Sequence, residues 1–235
     1  MKINYKHTLQ LHNPSSAKEI LPQVFEIFSP KSILDIGCGN GSWLKAAKDM
    51  GVPKVFGVDG IQVPNSEFFL SDEEFKVLDL SKPFHIDKKF ELVLSLEVAE
   101  HIEEAAANIF IDNLTQHGDV ILFSAAIPGQ GGQYHLNEQW PQYWSEKFKK
   151  KGFVAYDLLR EKFWDNKTVL WWYKQNILLF VKEKHPAFTN YKSTETPMGL
   201  VHPQLFQKKV FKPRFITNKK ENFKLLKQAV KRIFK

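Results

Sequence analysis

Three glycines spaced two apart, Gly37, Gly39 and Gly41, follow the apolar run Ile33-Leu34-Asp35-Ile36 and precede a helical stretch that starts near Leu44. A strand, a glycine loop and a helix in that order leave few folds open. A buried parallel strand reads as a short apolar run, and glycine lets the chain turn sharply at its end. Glycine also lets a ligand approach the backbone with no Cβ in the way. A dinucleotide loop places its third glycine three residues after the second. Here it comes one residue early, and position 42 is Ser42. Pyrophosphate binding is therefore the weaker reading.

The rest of the chain repeats the alternation. Apolar positions Ile20, Leu21, Val24, Phe25 and Phe28 recur at helical spacing after a cap at Ser15 or Ser16, and Pro30 ends that helix. Residues 55–58, 75–80, 90–96 and 120–125 read as strands two to five, with helices over 44–50, 101–114 and 137–151. Residues 153–158 and 176–181 read as two more strands. The pattern predicts a doubly wound α/β fold with a mostly parallel seven-stranded sheet and an antiparallel hairpin at one edge. One domain is expected over 1–184, an irregular linker over 185–218 and a basic amphipathic helix over 219–235.

The net charge of +7 belongs to the tail. From Lys208 to Lys235 there are eleven Lys/Arg and one acid, a surplus of ten, which leaves about −3 for the first 207 residues. A nucleic-acid groove built into the core is thus not expected. The tail's Phe223, Leu226, Val230 and Ile233 form an apolar stripe among lysines, a pattern suited to an anionic membrane surface or an acidic partner. A fold-back onto the chain's own core or a dimer contact fits the stripe equally. One cysteine, Cys38, permits no intrachain disulfide. Neither a leader h-region nor an apolar stretch long enough to span a bilayer is present, so a cytoplasmic protein is expected, peripheral at the inner membrane face if the tail anchors it.

Asp59 closes the second strand, about 20 residues after the loop, where an acid can accept both hydroxyls of a ribose. Asp79 closes the third. Together with Asp35-x-Gly37-x-Gly39-x-Gly41 and the fourth-strand stretch Ser95-Leu96-Glu97-Val98-Ala99-Glu100-His101, these acids resemble the motifs of class I S-adenosylmethionine (SAM)-dependent methyltransferases. The resemblance covers about residues 11–182. It implies that Asp35, Gly37, Gly39 and Gly41 hold the methionine part of SAM, Asp59 the ribose and Asp79 the adenine amino group, with Gly60, Leu80 and Leu96 also at the cofactor. Either acid alone is also an ordinary strand-end turn residue. The Pro-Pro-aromatic motif of base-amine methyltransferases is absent after strand four.

A hydroxyl acceptor needs a base, and loops at the carboxyl ends of the strands should supply it. His101 and His135 are eligible as catalytic residues, while His85 falls on the other side of the sheet. The alternative for His135 is to orient its loop, and for His101 to cap a helix. The stretch from Gly131 to Trp144, with Phe163-Trp164-Asp165 and Trp171-Trp172-Tyr173, resembles methyltransferases of bacterial surface-glycan synthesis. That resemblance implies a sugar, nucleotide-sugar or glycan acceptor and O-methylation. The tryptophans taken singly read equally well as core. Glu97, His101, His135 and Glu138 are all plausible metal ligands, but no tight spacing supports a metal and none is expected. Carboxyl, amine or RNA methylation, or an inactive SAM-binding partner subunit, are the rival readings.

Overall fold

A computed structural model describes residues 14–63, 68–210 and 223. The expected basic helix over 219–235 therefore lies outside the described residues, apart from Phe223. Seven strands form one sheet: β1 Ser32–Ile36, β2 Lys54–Asp59, β3 Phe75–Val77, β4 Leu92–Leu96, β5 Val120–Ser124, β6 Phe153–Tyr156 and β7 Leu178–Lys182. Their order across the sheet is β3-β2-β1-β4-β5-β7-β6. The first five pair in parallel, and β7 runs antiparallel between β5 and β6. The expected mostly parallel seven-stranded sheet is present. Its antiparallel pair is not a tight hairpin, because residues 157–177 separate β6 from β7 and carry two short helices.

Every residue of β4 (LVLSL) and β5 (VILFS) is buried, which is why both read as unbroken apolar runs. Successive side chains point to opposite faces of a strand. Ile33, Leu92, Leu94, Val120 and Leu122 accordingly pack in one layer, beneath α1 (Ser15–Phe25), α2 (Ser42–Asp49), α5 (Arg160–Phe163) and α6 (Trp171–Asn176). Leu34, Ile36, Val93, Ile121 and Phe123 pack in the other, beneath α3 (Ala107–Thr115) and α4 (Pro141–Lys149).

Several local expectations change. The first helix begins at Ser15 with Pro14 at its cap position, and the Ser16 hydroxyl instead accepts from the Leu170 N–H at 3.1 Å. The helix expected over 101–114 is split into 3-10 turns at Ala99–His101 and Glu104–Ala106, followed by α3. The one expected over 137–151 starts only at Pro141, which suits a first helical position because it has no N–H to leave unpaired. The first compact unit runs on past residue 184 to His202. Phe188 is buried, and Thr194 bridges to Ala155 of β6. Helix α7, Pro203–Val210, then occupies part of the stretch expected to be irregular. No described helix is long and apolar enough to cross a membrane.

Arg160 holds the extension in place. Its fully buried guanidinium donates to both carboxylate oxygens of Asp157 at 2.9 and 2.5 Å, and to the carbonyls of Gln175 and Met198 at 3.3 and 2.8 Å. Arg160→Met should cost about 3 kcal/mol, the low end for a broken buried pair because Asp157 still reaches solvent. Thermal unfolding should shift down by roughly 6–12 °C for a chain of this size. A shift under about 2 °C would show that the fork contributes little.

Candidate functional site

The five parallel strands end at one edge of the sheet, and strand order reverses between β1 and β4. That switch point is where open α/β sheets bind ligands. The glycine loop leaves β1 there. Gly37, Gly39 and Gly41 have φ of 90°, 55° and 79°, a region that side chains with a Cβ rarely adopt. The loop is pinned to β2: Gly37 and Cys38 N–H donate to the Val58 carbonyl at 2.8 and 3.1 Å. A Cβ on Gly37 would come within 2.3 Å of Val98, and one on Gly41 within 2.6 Å of Leu70. At these two positions the missing side chain admits a protein neighbour. Val98 thereby locks the loop after β1 against the loop after β4.

Asp59 closes β2 and organises the same loop. Its Oδ2 accepts from the Gly39 N–H at 2.8 Å and its Oδ1 from the Ile61 N–H at 3.0 Å. Lone pairs remain on both oxygens. Burial pushes the Asp59 carboxyl above its usual range, against the opposing pull of the Gly39, Ile61 and Gly60 N–H groups. Asp35 is buried to 2% exposure; burial, then the charge on Asp59, push it well above that range. Two acids crowded at the loop suit a cationic ligand. SAM is one, with an ammonium and a sulfonium against a single carboxylate, so the donor set fits the expected cofactor. Gly60 is exposed, and a Cβ there would meet only the Leu78 carbonyl, at 3.9 Å. Leu80 and Leu96 are buried nearby in sequence to the ends of β3 and β4.

Asp79 is differently placed. It lies past the end of β3, exposed, with Oδ1 accepting from the Ser81 N–H and hydroxyl and Oδ2 3.0 Å from Lys82 Nζ. The Ser81 hydroxyl, then Lys82, hold it below the usual carboxylate range. Its carboxylate closes a turn at the surface.

A second cluster gathers at the ends of β4 and β5. Glu97 follows β4 in a left-handed conformation, φ 57°, uncommon and strained for a non-glycine residue. Its N–H donates to the Ser124 carbonyl at 2.9 Å, and its carboxylate accepts from Gln130 at 2.8 Å and Asn176 at 3.0 Å. Burial raises its carboxyl; Asn176, Gln130 and Ser124 pull it back. Glu100, three residues on, is 1% exposed, and neither carboxyl oxygen has a hydrogen-bond partner. Burial, then the charge on Glu97, push it well above the usual range; its own N–H and that of Ala126 oppose this without reaching bonding geometry.

Opposite Glu100 stands His135, on the loop after β5. Its Nδ1 is 2.7 Å from Glu138 Oε1 and its Nε2 is 4.0 Å from Glu100 Oε1. Glu138 also accepts from the N–H groups of Gly129 at 2.7 Å and Gly131 at 2.5 Å. Burial acts to raise Glu138, but His135 and those two N–H groups outweigh it and hold it below the usual range. A Cβ on Gly132 would overlap the His135 ring, at 2.1 Å from Nε2, so glycine there makes room for the imidazole. His101 meets the His135 ring edge-on at 4.9 Å between centroids, and its Nδ1 is 3.3 Å from the Tyr134 carbonyl.

The family model described as a methyltransferase domain matches residues 5–157 of the chain. The chain belongs to this methyltransferase family. Putative methyltransferase 235L of Invertebrate iridescent virus 6 is 31% identical over 120 residues, covering 48% of this chain and 43% of that protein. The chain thus spans less than half the length of the curated relative it matches. Magnesium protoporphyrin IX methyltransferase (ChlM) from Synechocystis PCC 6803, crystallised with bound SAM, is 17% identical with a TM-score of 0.53, over 77% of this chain and 88% of that one. The sugar N-methyltransferase KedS8 from Streptoalloteichus sp ATCC 53650 is 13% identical with a TM-score of 0.55, over 72% and 87%. At these identities the likeness is one of fold.

In this methyltransferase domain the residues expected at the glycine loop and at Asp59 do converge at the switch point, and His101 and His135 do converge beside it. His85 instead stacks on His117 at 5.8 Å, before β4 and away from that edge. Of the tryptophans weighed for acceptor binding, Trp144 is core, packed on Phe123 at 5.6 Å. Trp171 and Trp172 are half-buried and pack on one another, whereas Trp140 is 42% exposed. The residue missed is Glu100. Its signal was available: two acids three apart, directly before a histidine, in a stretch otherwise apolar.

Proposed function

We propose that this methyltransferase moves the methyl group of SAM to a hydroxyl oxygen of a sugar. The methyl donor is S-adenosylmethionine, in keeping with the family and with ChlM structures holding SAM and S-adenosylhomocysteine. One observation carries oxygen as the acceptor: the His135–Glu138 pair at 2.7 Å, on the loop beside the cofactor edge. With a carboxylate accepting at Nδ1, the Nε2 of His135 is left as the proton acceptor that a neutral alcohol requires. The sugar is supported by what flanks that histidine. Tyr134, Leu136 and Trp140 are 49%, 58% and 42% exposed, an apolar lining suited to the C–H face of a pyranose.

Methyl-labelled SAM offered with nucleotide sugars, extracted glycans and RNA tests the reading. Label should enter the sugar pool as an ether that withstands mild alkali. Label lost in alkali marks a methyl ester, label on an amine marks N-methylation, and label confined to RNA marks a nucleic-acid enzyme. Any of these three overturns the proposal.

A further inference from the structure

We propose that Glu100, His101 and His135 form a binding site for one divalent transition-metal ion, which deepens the proposed function by placing a Lewis acid beside the acceptor. One ligand atom from each of the three residues lies within 4.8 Å of the other two. That proximity alone would not make a site; the state of Glu100 does. Buried polar atoms in folded proteins are almost always paired. Here a carboxyl group that is 1% exposed leaves both oxygens without a partner, with Oε1 4.0 Å from His135 Nε2. Its charged neighbours, Glu97 and Glu138, are further acids. A doubly charged cation answers both the missing partners and the like charge.

The surroundings of the two histidines support the same conclusion. Metal-bound imidazoles nearly always give their other nitrogen to a carboxylate or a carbonyl. His135 Nδ1 meets the Glu138 carboxylate at 2.7 Å, and His101 Nδ1 faces the Tyr134 carbonyl at 3.3 Å. His135 thus presents Nε2 toward Glu100, and His101 lies edge-on beside it. Two imidazoles and one carboxylate favour manganese, iron, cobalt, nickel or zinc over calcium or magnesium, which prefer all-oxygen sites. With bonds of about 2.0–2.2 Å the donors must draw together to roughly 3 Å, within reach of side-chain rotation. Three protein ligands leave coordination positions for the acceptor's oxygens. Val98 sits between Glu97 and Ala99 and against Gly37, so these positions adjoin the methyl donor's loop. This revises the expectation that no metal is involved. An ion-bound His135 Nε2 is a ligand and no longer a proton acceptor, so activity loss in His135→Ala cannot distinguish the two roles. Binding can.

The full-length, tag-free chain, stripped with chelator and dialysed, is titrated with Mn²⁺, followed by the spin-resonance signal of the free ion, and with Co²⁺, followed by visible absorption. One ion per chain should bind saturably. His135→Ala and Glu100→Gln should each weaken binding by more than about 100-fold, and Glu138→Gln by about 10- to 100-fold. All three should keep the wild-type far-UV circular dichroism and affinity for S-adenosylhomocysteine within about threefold. Glu100→Gln is isosteric and removes a buried charge, so it keeps the test valid if His135→Ala does not fold. No saturable binding of either ion, or undiminished binding in Glu100→Gln, overturns the metal site. If binding fails but His135→Ala still abolishes transfer to a sugar, the metal site falls and the proposed function stands.

Discussion

Asp59→Ala should lower affinity for SAM and S-adenosylhomocysteine by about 10²- to 10⁴-fold. Two charge-assisted hydrogen bonds to the ribose would be lost, at roughly 1.5–3 kcal/mol each. The substitution also removes the acceptor for the Gly39 and Ile61 N–H groups, so the loop loses its anchor to β2 as well as the ligand its partner. Calorimetry with S-adenosylhomocysteine measures the change. Asp79→Ala makes the comparison informative: its carboxylate is already engaged by Ser81 and Lys82 at an exposed turn. It should therefore cost less than about tenfold, one hydrogen bond's worth. An Asp59 variant with unchanged affinity would take that residue out of the cofactor site.

His135→Ala should lower kcat on the proposed sugar acceptor by about 10²- to 10⁴-fold, the usual scale for a lost general base, and loss of the proposed metal ligand would act in the same direction. Affinity for SAM should hardly move. The loop after β5 and the acids at the ends of β1 and β2 lie on different strands, with β4 between. Steady-state rates with saturating SAM and the acceptor found by labelling decide it. Near-normal turnover would leave the His135–Glu138 pair a device for shaping the Gly129–Gly132 turn and nothing more.

The parallel half of the fold was legible because its central strands β1, β4 and β5 are short and almost wholly buried, and β1 ends in a loop whose residues only one backbone geometry favours. β1 with Gly37, Gly39 and Gly41 is the clearest case: burial made the apolar run and positive φ demanded the glycines. The half beyond β5 was less legible. Residues 171–175 show no legible element in the sequence and Asn176 reads as the start of a strand, yet Trp171–Asn176 forms α6, since four of its six residues are buried together and periodicity has nothing to show. Residues 185–202 read as linker from their Pro, Thr and Lys content. They are held by particular long-range bonds, Thr194 to Ala155 and Met198 to Arg160, that composition does not encode.

Within the cluster at the ends of β4 and β5, the sequence singled out the two histidines and not Glu100. The reason is physical: an acid is assigned to solvent by default. Only the packing of β4 and β5 shows that this one faces inward. Asp79 is the opposite case. Its place at the end of the third strand suggested a ligand, but a serine two residues later and a lysine three residues later gave the carboxylate nearer partners.

The position of β7 bears on how this chain can be made. As synthesis proceeds from the N-terminus, β1 to β5 can assemble as they emerge, each beside a strand already present. β6 cannot. Its neighbour in the sheet is β7, which emerges only with residues 178–182, and its remaining bridge is to Thr194. Until then a nascent chain carries two unpaired apolar strands, the outer edge of β5 and the whole of β6, both able to recruit a neighbouring polypeptide. A ribosome that stalls between residues 157 and 177 would release the most aggregation-prone form of this protein. One that passes Thr194 would release a sheet in which β7 pairs both β5 and β6, with the outer side of β6 bridged at Ala155.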